Sequence, residues 1–287
     1  MSEFELRNVA PYQINEFFGF WSQKFFIASE HFFNPTNPLI PRIQILTGSP
    51  RQQMNIFYEP NIKQTLRLNE EESRHAVKVL RLSVGDLLYV VDGVGGFYKC
   101  QIKVSHDKKC EVKIIDETQR YGLRDYYVHL IIAPTKNLDR IEWMVEKCVE
   151  IGINEISFLQ TRYSERKEIK IARIEKIAVG AMKQSLKAFL PKINEMISWK
   201  EFLKRDYSEI TKMIAHLEEG NRKLIQQIAE PKSKYAILIG PEGDFSSEEI
   251  NQAFEKGFVP VTLGESRLRT ETAGLVACHA LNIVNQL

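Results

Sequence analysis

The chain has 287 residues, 44% of them hydrophobic and 26% charged, with a formal net charge of +2; such a composition buries a sizeable core in one or two domains and excludes a disordered chain. No run of about eighteen apolar residues occurs, which excludes a membrane-spanning helix. Cys100, Cys110, Cys148 and Cys278 form no C-x-x-C pair, the six histidines lack zinc-protease spacing and no Walker A loop is present, so metal and nucleotide hydrolysis are set aside and reduced cytoplasmic thiols without a metal are expected.

Residues 1–53 differ in character from the rest of the chain. They carry Phe17-Phe18-Gly19-Phe20-Trp21, Phe25-Phe26, Phe32-Phe33 and prolines at 35, 38 and 41 without a sustained period. They are expected to be an extension, poorly ordered or the product of an upstream start, with the functional protein opening at Met54. From there to Gly122 the chain reads as short strands. Leu87 to Val91 runs into the hairpin signal Asp92-Gly93, Phe97 to Val104 returns with period two, and Glu111 to Ile115 adds another strand. A small β-barrel or sandwich is expected, with one helix from Asn69 to Leu80 capped by Asn69, and Glu72 at capping-box spacing.

After Leu123 the period changes. Strands are predicted at Tyr127 to Ala133, Glu155 to Leu159, Lys212 to Leu217, Tyr235 to Ile239 and Val259 to Leu263, alternating with helices. The clearest helix is Leu138 to Glu150, where Leu138, Ile141, Met144, Val145, Cys148 and Val149 recur at three and four before Gly152. This order implies an α/β domain with a parallel sheet over residues 123–287. Between Arg162 and Lys192 nine basic residues face three glutamates. Such a stretch is either a solvated face or a phosphate-tracking surface.

Two glycine loops follow buried strands: Gly240-Pro241-Glu242-Gly243, and Leu263-Gly264 leading to Arg267-Leu268-Arg269-Thr270-Glu271. Glycines there permit positive φ and leave backbone N–H groups open to a ligand, and Ser246 with Glu249 forms a capping box for the next helix. In the second loop Thr270 can cap a helix, with Glu271 in its first turn. Neither role needs an arginine, and a cation beside a helix N-terminus is mildly unfavourable, so Arg269 is expected to face an external anion or a polarised carbonyl.

Gly240-Pro241-Glu242-Gly243, Leu263-Gly264 and Leu268 to Ala273 together resemble the signature pair of the RsmE family, the 16S ribosomal RNA uridine-N3 methyltransferases of the SPOUT superfamily. His75 to Arg81 with Gly85-Asp86, Arg140 to Trp143, Lys147 to Gly152, Thr161 to Ser164 and Gln184-Ser185 are similar to further motifs of that family. The likeness runs from about Met54 to Leu287. Asp244 stands where the family usually has a third loop glycine, and Lys183, Lys187 and Phe189 stand where it usually has Glu, Arg and Arg.

The resemblance implies a PUA-like β-barrel over residues 54–122, then a SPOUT domain with a C-terminal trefoil knot, active as a cytoplasmic homodimer on the small ribosomal subunit with S-adenosylmethionine. The apolar faces of helix Leu138 to Glu150 and of the C-terminal helix through Ile283 are candidate dimer contacts. It also implies cofactor binding by Leu217, Ile239, Gly240, Gly243, Leu263, Gly264 and Leu268, and RNA contacts by Arg67, Arg74, Lys78, Arg81, Arg162 and Arg166. Methylating uracil N3 removes an imide proton and spreads negative charge onto O2 and O4; a guanidinium there stabilises the transition state, and Arg269 is the candidate. Glu271 is a candidate base, or simply a first-turn carboxylate. Methylation at another base or a ribose oxygen, and a non-catalytic assembly factor, are the competing readings.

Overall fold

The computed structural model describes residues 54–218 and 220–286; the expectation for residues 1–53 lies outside them. The first sheet has the order β1-β2-β3-β4, with β1 (Ile56–Tyr58) parallel to β2 (Leu87–Val91) and antiparallel pairing to β3 (Phe97–Val104) and β4 (Glu111–Thr118). Alternation in β3 turns Tyr98, Cys100 and Ile102 inward, where they pack on Phe57, Leu88, Val90 and Val112. The hairpin turn is held by Asp92, whose carboxylate accepts from Val94 N at 2.9 Å, Gly96 N at 2.8 Å and the Tyr98 hydroxyl at 2.9 Å.

Helix α1 (Ile62–Thr65) precedes α2 (Glu70–Arg74), which runs on as a π-helical turn over His75–Val79, with Leu80 N donating to His75 O at 3.0 Å. The predicted helix from Asn69 is therefore present but changes pitch midway. Asn69 Oδ1 accepts from Glu72 N at 2.9 Å, as expected. The return half of the capping box is absent, because Glu72 Oε1 is engaged by Tyr58 N at 3.1 Å and Lys183 Nζ at 2.5 Å.

The second sheet has seven strands, all parallel, in the order β7-β6-β5-β10-β8-β11-β9. In chain order its elements are β5 (Tyr127–Ile132), α3 (Leu138–Ile151), β6 (Glu155–Gln160), α4 (Ile171–Gln184), β7 (Lys192–Ser198), α5 (Trp199–Phe202), β8 (Thr211–Ala215) and β9 (Lys223–Leu224). They continue with β10 (Lys234–Ile239), α6 (Ser247–Glu255), β11 (Val259–Thr262) and α7 (Thr270–Val284). Alternate residues of β10 serve two cores: Ile237 and Ile239 pack with Ile141, Met144 and Ala277, while Ala236 and Leu238 pack with Phe202, Phe245 and Ile250. Burial on both faces explains the continuous apolar strands. The five predicted strands and the α3 helix are present, and α3 ends at Gly152 with φ +129°. Its apolar face is buried within this chain, where α3 packs on α4 and α7.

The two sheets are joined. Gly95 N donates to Ala188 O, and Leu190 N to Gly93 O, both at 2.9 Å. Gly95 has φ +106°, and a Cβ there would lie 2.4 Å from the Phe189 ring. Two of the departures from the family pattern, Lys183 and Phe189, thus lie at the junction with the first sheet. All four cysteines are free and buried. No helix among the described residues is long and apolar enough to cross a membrane.

Candidate active site

At the carboxyl edge of the second sheet a cleft of about 680 Å³ is walled by the loops after β8, β10 and β11, the edge at which open parallel sheets gather their ligand loops. Leu217, Ile239, Leu263 and Leu268 supply apolar wall, with Gly240 and Gly264 between them. Gly243 stands outside that wall. A Cβ there would meet Tyr163 Cβ at 3.2 Å, so this glycine admits the loop after β6.

In the first loop the positive φ belongs to Asp244, at +63°, rather than to the glycines that permit it, and in the second loop to Gly264, at +120°. Asp is among the residues that tolerate this region. Asp244 also does what a glycine cannot. Its Oδ2 accepts from Leu217 N at 2.7 Å and its Oδ1 from Phe245 N at 2.8 Å, tying the loop after β8 to the loop after β10. The Ser246–Glu249 capping box is formed, and Glu249 Oε1 also accepts from Arg162 N at 2.8 Å.

Arg269, not Thr270, is the N-cap residue of α7, with φ −74° and ψ 157°, and no side chain caps that end. Thr270 is buried as the first helical residue, whereas Arg269 is exposed and lines the cleft. Glu271 is only 6% exposed; its Oε1 is 3.8 Å from Arg140 Nε, and its Oε2 has no hydrogen-bond partner among the described residues. Leaving a buried acceptor unpaired costs about 1–3 kcal/mol, so this carboxylate is held in the cleft wall at a local cost in stability.

His216 was missed by sequence reasoning. It lies between β8 and Leu217, is 7% exposed, and neither ring nitrogen has a partner among the described residues. Burial lowers its pKa against the pull of Asp244, which keeps the imidazole neutral, one donor and one acceptor, on the cleft wall. Arg222 and Arg267 join Arg140 and Arg269 there, together with Glu242, Asp244, Glu265 and Glu271. An isolated histidine after a strand carries no spacing signal, and the arginines meet only in the fold.

The predicted RNA contacts divide. Arg67 pairs with Glu111 at 2.9 Å and Lys78 with Asp107 at 3.5 Å. Arg74 and Arg81 are exposed and form no ion pair among the described residues. Arg162 lies over the Tyr163 ring at 5.9 Å. Arg166 turns inward and donates to Lys136 O at 2.5 Å, while Lys136 N donates to Glu242 at 3.1 Å, so Arg166 braces the loops. The basic stretch is partly structural as well: Arg173 pairs with Glu142, Lys183 with Glu72 and Lys192 with Glu155. Burial, reinforced by Arg124, pulls the Lys187 pKa below its ordinary value.

An apolar slot lined also by arginines and a buried carboxylate thus lies on an α/β scaffold that carries a small β-domain. A family model described as an RNA methyltransferase domain matches residues 124–282, and one described as an RNA methyltransferase PUA domain matches residues 68–115. The chain belongs to this family of RNA methyltransferases. The ribosomal RNA small subunit methyltransferase E of Buchnera aphidicola subsp. Acyrthosiphon pisum is 28% identical over 251 residues, 85% of this chain and 94% of that protein. The crystal structure of a probable rRNA-methyltransferase from Porphyromonas gingivalis has a TM-score of 0.77 and 41% identity, covering 81% of this chain and 99% of that one. The ribosomal RNA small subunit methyltransferase E of Neisseria gonorrhoeae, solved bound to S-adenosyl methionine, has a TM-score of 0.73 and 29% identity, covering 81% of this chain and 98% of that one.

Proposed function

We propose that this protein methylates uridine N3 in 16S ribosomal RNA of the small subunit, with S-adenosylmethionine as methyl donor. The observation that carries this reading is the cleft, in which six of the seven expected cofactor residues meet Arg269 and Glu271. The cleft suits the cofactor: apolar walls match an adenine, and the neutral, unpartnered imidazole of His216 suits its polar groups. Leu217, Ile239, Leu263 and Leu268 would hold the ring, with the backbone of Gly240 and Gly264 at its edge. When bound, the cofactor supplies an electrophilic methyl on a sulfonium.

In this reading the chain's own groups do the rest. Arg269 donates to a uracil carbonyl as N3 loses its proton and charge moves onto O2 and O4. Glu271 is the candidate acceptor for that proton. N3 lies on the Watson–Crick edge, so the target must be unpaired. Residues 54–122 serve as the RNA-binding barrel, with Arg74 and Arg81 free for phosphate, and residues 123–287 as the catalytic domain. The C-terminal knot implied by the family resemblance is part of this reading. The half-buried Leu275, Val276 and Ile283 of α7 support a homodimer. Cytoplasmic action follows from the substrate.

The test is incubation of the protein with labelled S-adenosylmethionine and small subunits that lack the modification, followed by nucleoside mass spectrometry. The expected product is 3-methyluridine, reduced about 100-fold or more in Arg269→Ala with cofactor binding retained. A different methylated nucleoside would select the alternative acceptor; cofactor binding without any product would select the assembly-factor reading.

A further inference from the structure

The first sheet has an outward face that the proposed reaction does not use. Leu87, Gln101 and Lys113 stand in one row across β2, β3 and β4, and alternation along β3 adds Lys99 and Lys103 to the same side. At one end of this face Tyr89, Val91 and Phe97 pack against the core of the second sheet. The other end is open. There Lys103 and Lys113 are exposed, Lys99 is half-buried, and none of the three forms an ion pair among the described residues. The carboxylates of β4 are engaged elsewhere: Glu111 pairs with Arg67 at 2.9 Å and Glu117 with Lys63 at 3.0 Å. Asp116 stands across from Lys99 without pairing with it, and its Oδ1 accepts from Glu117 N at 3.0 Å. β4 also carries a bulge. Lys99 pairs with Asp116 and Cys100 with Ile114, so Ile115 is the extra residue, and it is 51% exposed. Bulges re-aim side chains, and this one sets an isoleucine, like the 45% exposed Leu87, beside unneutralised lysines.

We propose that this open face docks double-stranded RNA, lying across the minor groove with its lysines on phosphates and Leu87 and Ile115 against riboses. The proposal rests on the RNA-binding role given to residues 54–122 and not on which atom is methylated. Three strands span about 10 Å, and Lys99 and Lys103 lie about 13 Å apart along β3. A flat surface of that size suits the wide, shallow minor groove of A-form RNA, whereas the major groove is too deep and narrow to admit it. Single strands are held by bases stacked on aromatic rings. The rings of this face, Tyr89 and Phe97, are the ones packed against the second sheet's core. Lysines act as point charges without a base code, so this face reads the shape of the backbone. It is separate from the helix that carries Arg74 and Lys78, which covers the inward side of the sheet through Ala76 and Leu80.

The test is fluorescence anisotropy of a labelled RNA duplex of about 16 base pairs, titrated with the full-length protein without cofactor over about 50 to 200 mM salt. Wild type is compared with the triple variant Lys99→Ala, Lys103→Ala, Lys113→Ala, and with the same three positions changed to Arg. A labelled single strand of equal length and unmodified small subunits are titrated in parallel. Each phosphate contact removed should make the salt slope shallower by about 1, so the alanine variant should lose about 3, and arginine should restore it. Urea midpoints check folding; if the triple variant is unfolded, Lys103→Ala and Lys113→Ala singly should each lose about 1. An unchanged slope in the alanine variants overturns the proposal, as does tighter binding of the single strand than of the duplex. So does a variant that binds the duplex normally yet loses the small subunit, which would assign the face to an acidic protein. Duplex binding through these lysines without any methylated product would instead uphold the face and sink the reaction reading.

Discussion

Replacing Asp244 tests whether its carboxylate assembles the cofactor cleft. In Asp244→Ala two backbone N–H groups, Leu217 at 2.7 Å and Phe245 at 2.8 Å, lose a charged acceptor, and a residue with φ +63° becomes an alanine. Each bond to a charged group is worth about 1.5–3 kcal/mol when buried, discounted here to about 1 for partial exposure, and the left-handed conformation costs alanine about 1 more. The expected destabilisation is about 3 kcal/mol for Asp244→Ala and about 2 for Asp244→Gly, which relieves the backbone but not the lost bonds. For Asp244→Asn, which tolerates the conformation and keeps one acceptor, about 1 is expected. Freeing Leu217 should also weaken S-adenosylmethionine binding about tenfold, equivalent to 1.4 kcal/mol. Urea denaturation and titration calorimetry on the same proteins measure both quantities. Wild-type stability and affinity in Asp244→Gly would refute the reasoning, since the glycine would then do everything the carboxylate does.

Two further outcomes follow from buried polar groups. Burial pulls the His129 imidazole from an ordinary 6.5 down to about 4, against the opposing charge of Glu155, while its Nε2 lies 2.8 Å from Ser157 Oγ. The unfolded chain therefore binds this proton more readily. Stability is full above about pH 6.5 and falls as pH drops toward 4, by about 2 kcal/mol between pH 7 and pH 5; urea curves should show this slope and His129→Gln should flatten it. At the junction of the two sheets, Lys183→Ala strands Glu72, whose side chain is 9% exposed, and should cost about 2–4 kcal/mol in denaturant titrations, with Glu72→Gln in the same background recovering part of it.

The parts of this structure that could be read from residues are those where one period or one turn decides the outcome. β10 is apolar on consecutive residues because both its faces are covered, and α3 repeats at three and four because one face is. β7 was missed because its residues are half-buried at the sheet edge and alternate weakly, and β9 because it has two residues. At the site, Arg269 stood out by being unnecessary for capping. His216 could not stand out, since its meaning lies in what the fold leaves unpaired around it. The capping signals failed for two reasons: the distant Lys183 claimed Glu72, and α7 begins one residue earlier than expected, which puts Arg269 at the cap position and Thr270 inside the helix.

The hairpin seam at Gly93 to Gly95 has a consequence for substrate choice. Two backbone hydrogen bonds, the Phe189 ring seated where a Cβ of Gly95 would be, and the Lys183–Glu72 pair fix the β-domain at a set offset from the cleft. A protein with a loose hinge would fit many RNA spacings, each at an entropic cost on binding. In the proposed reading the protein behaves as a caliper with its jaws set, favouring an RNA whose phosphates and unpaired base already lie at the matching separation.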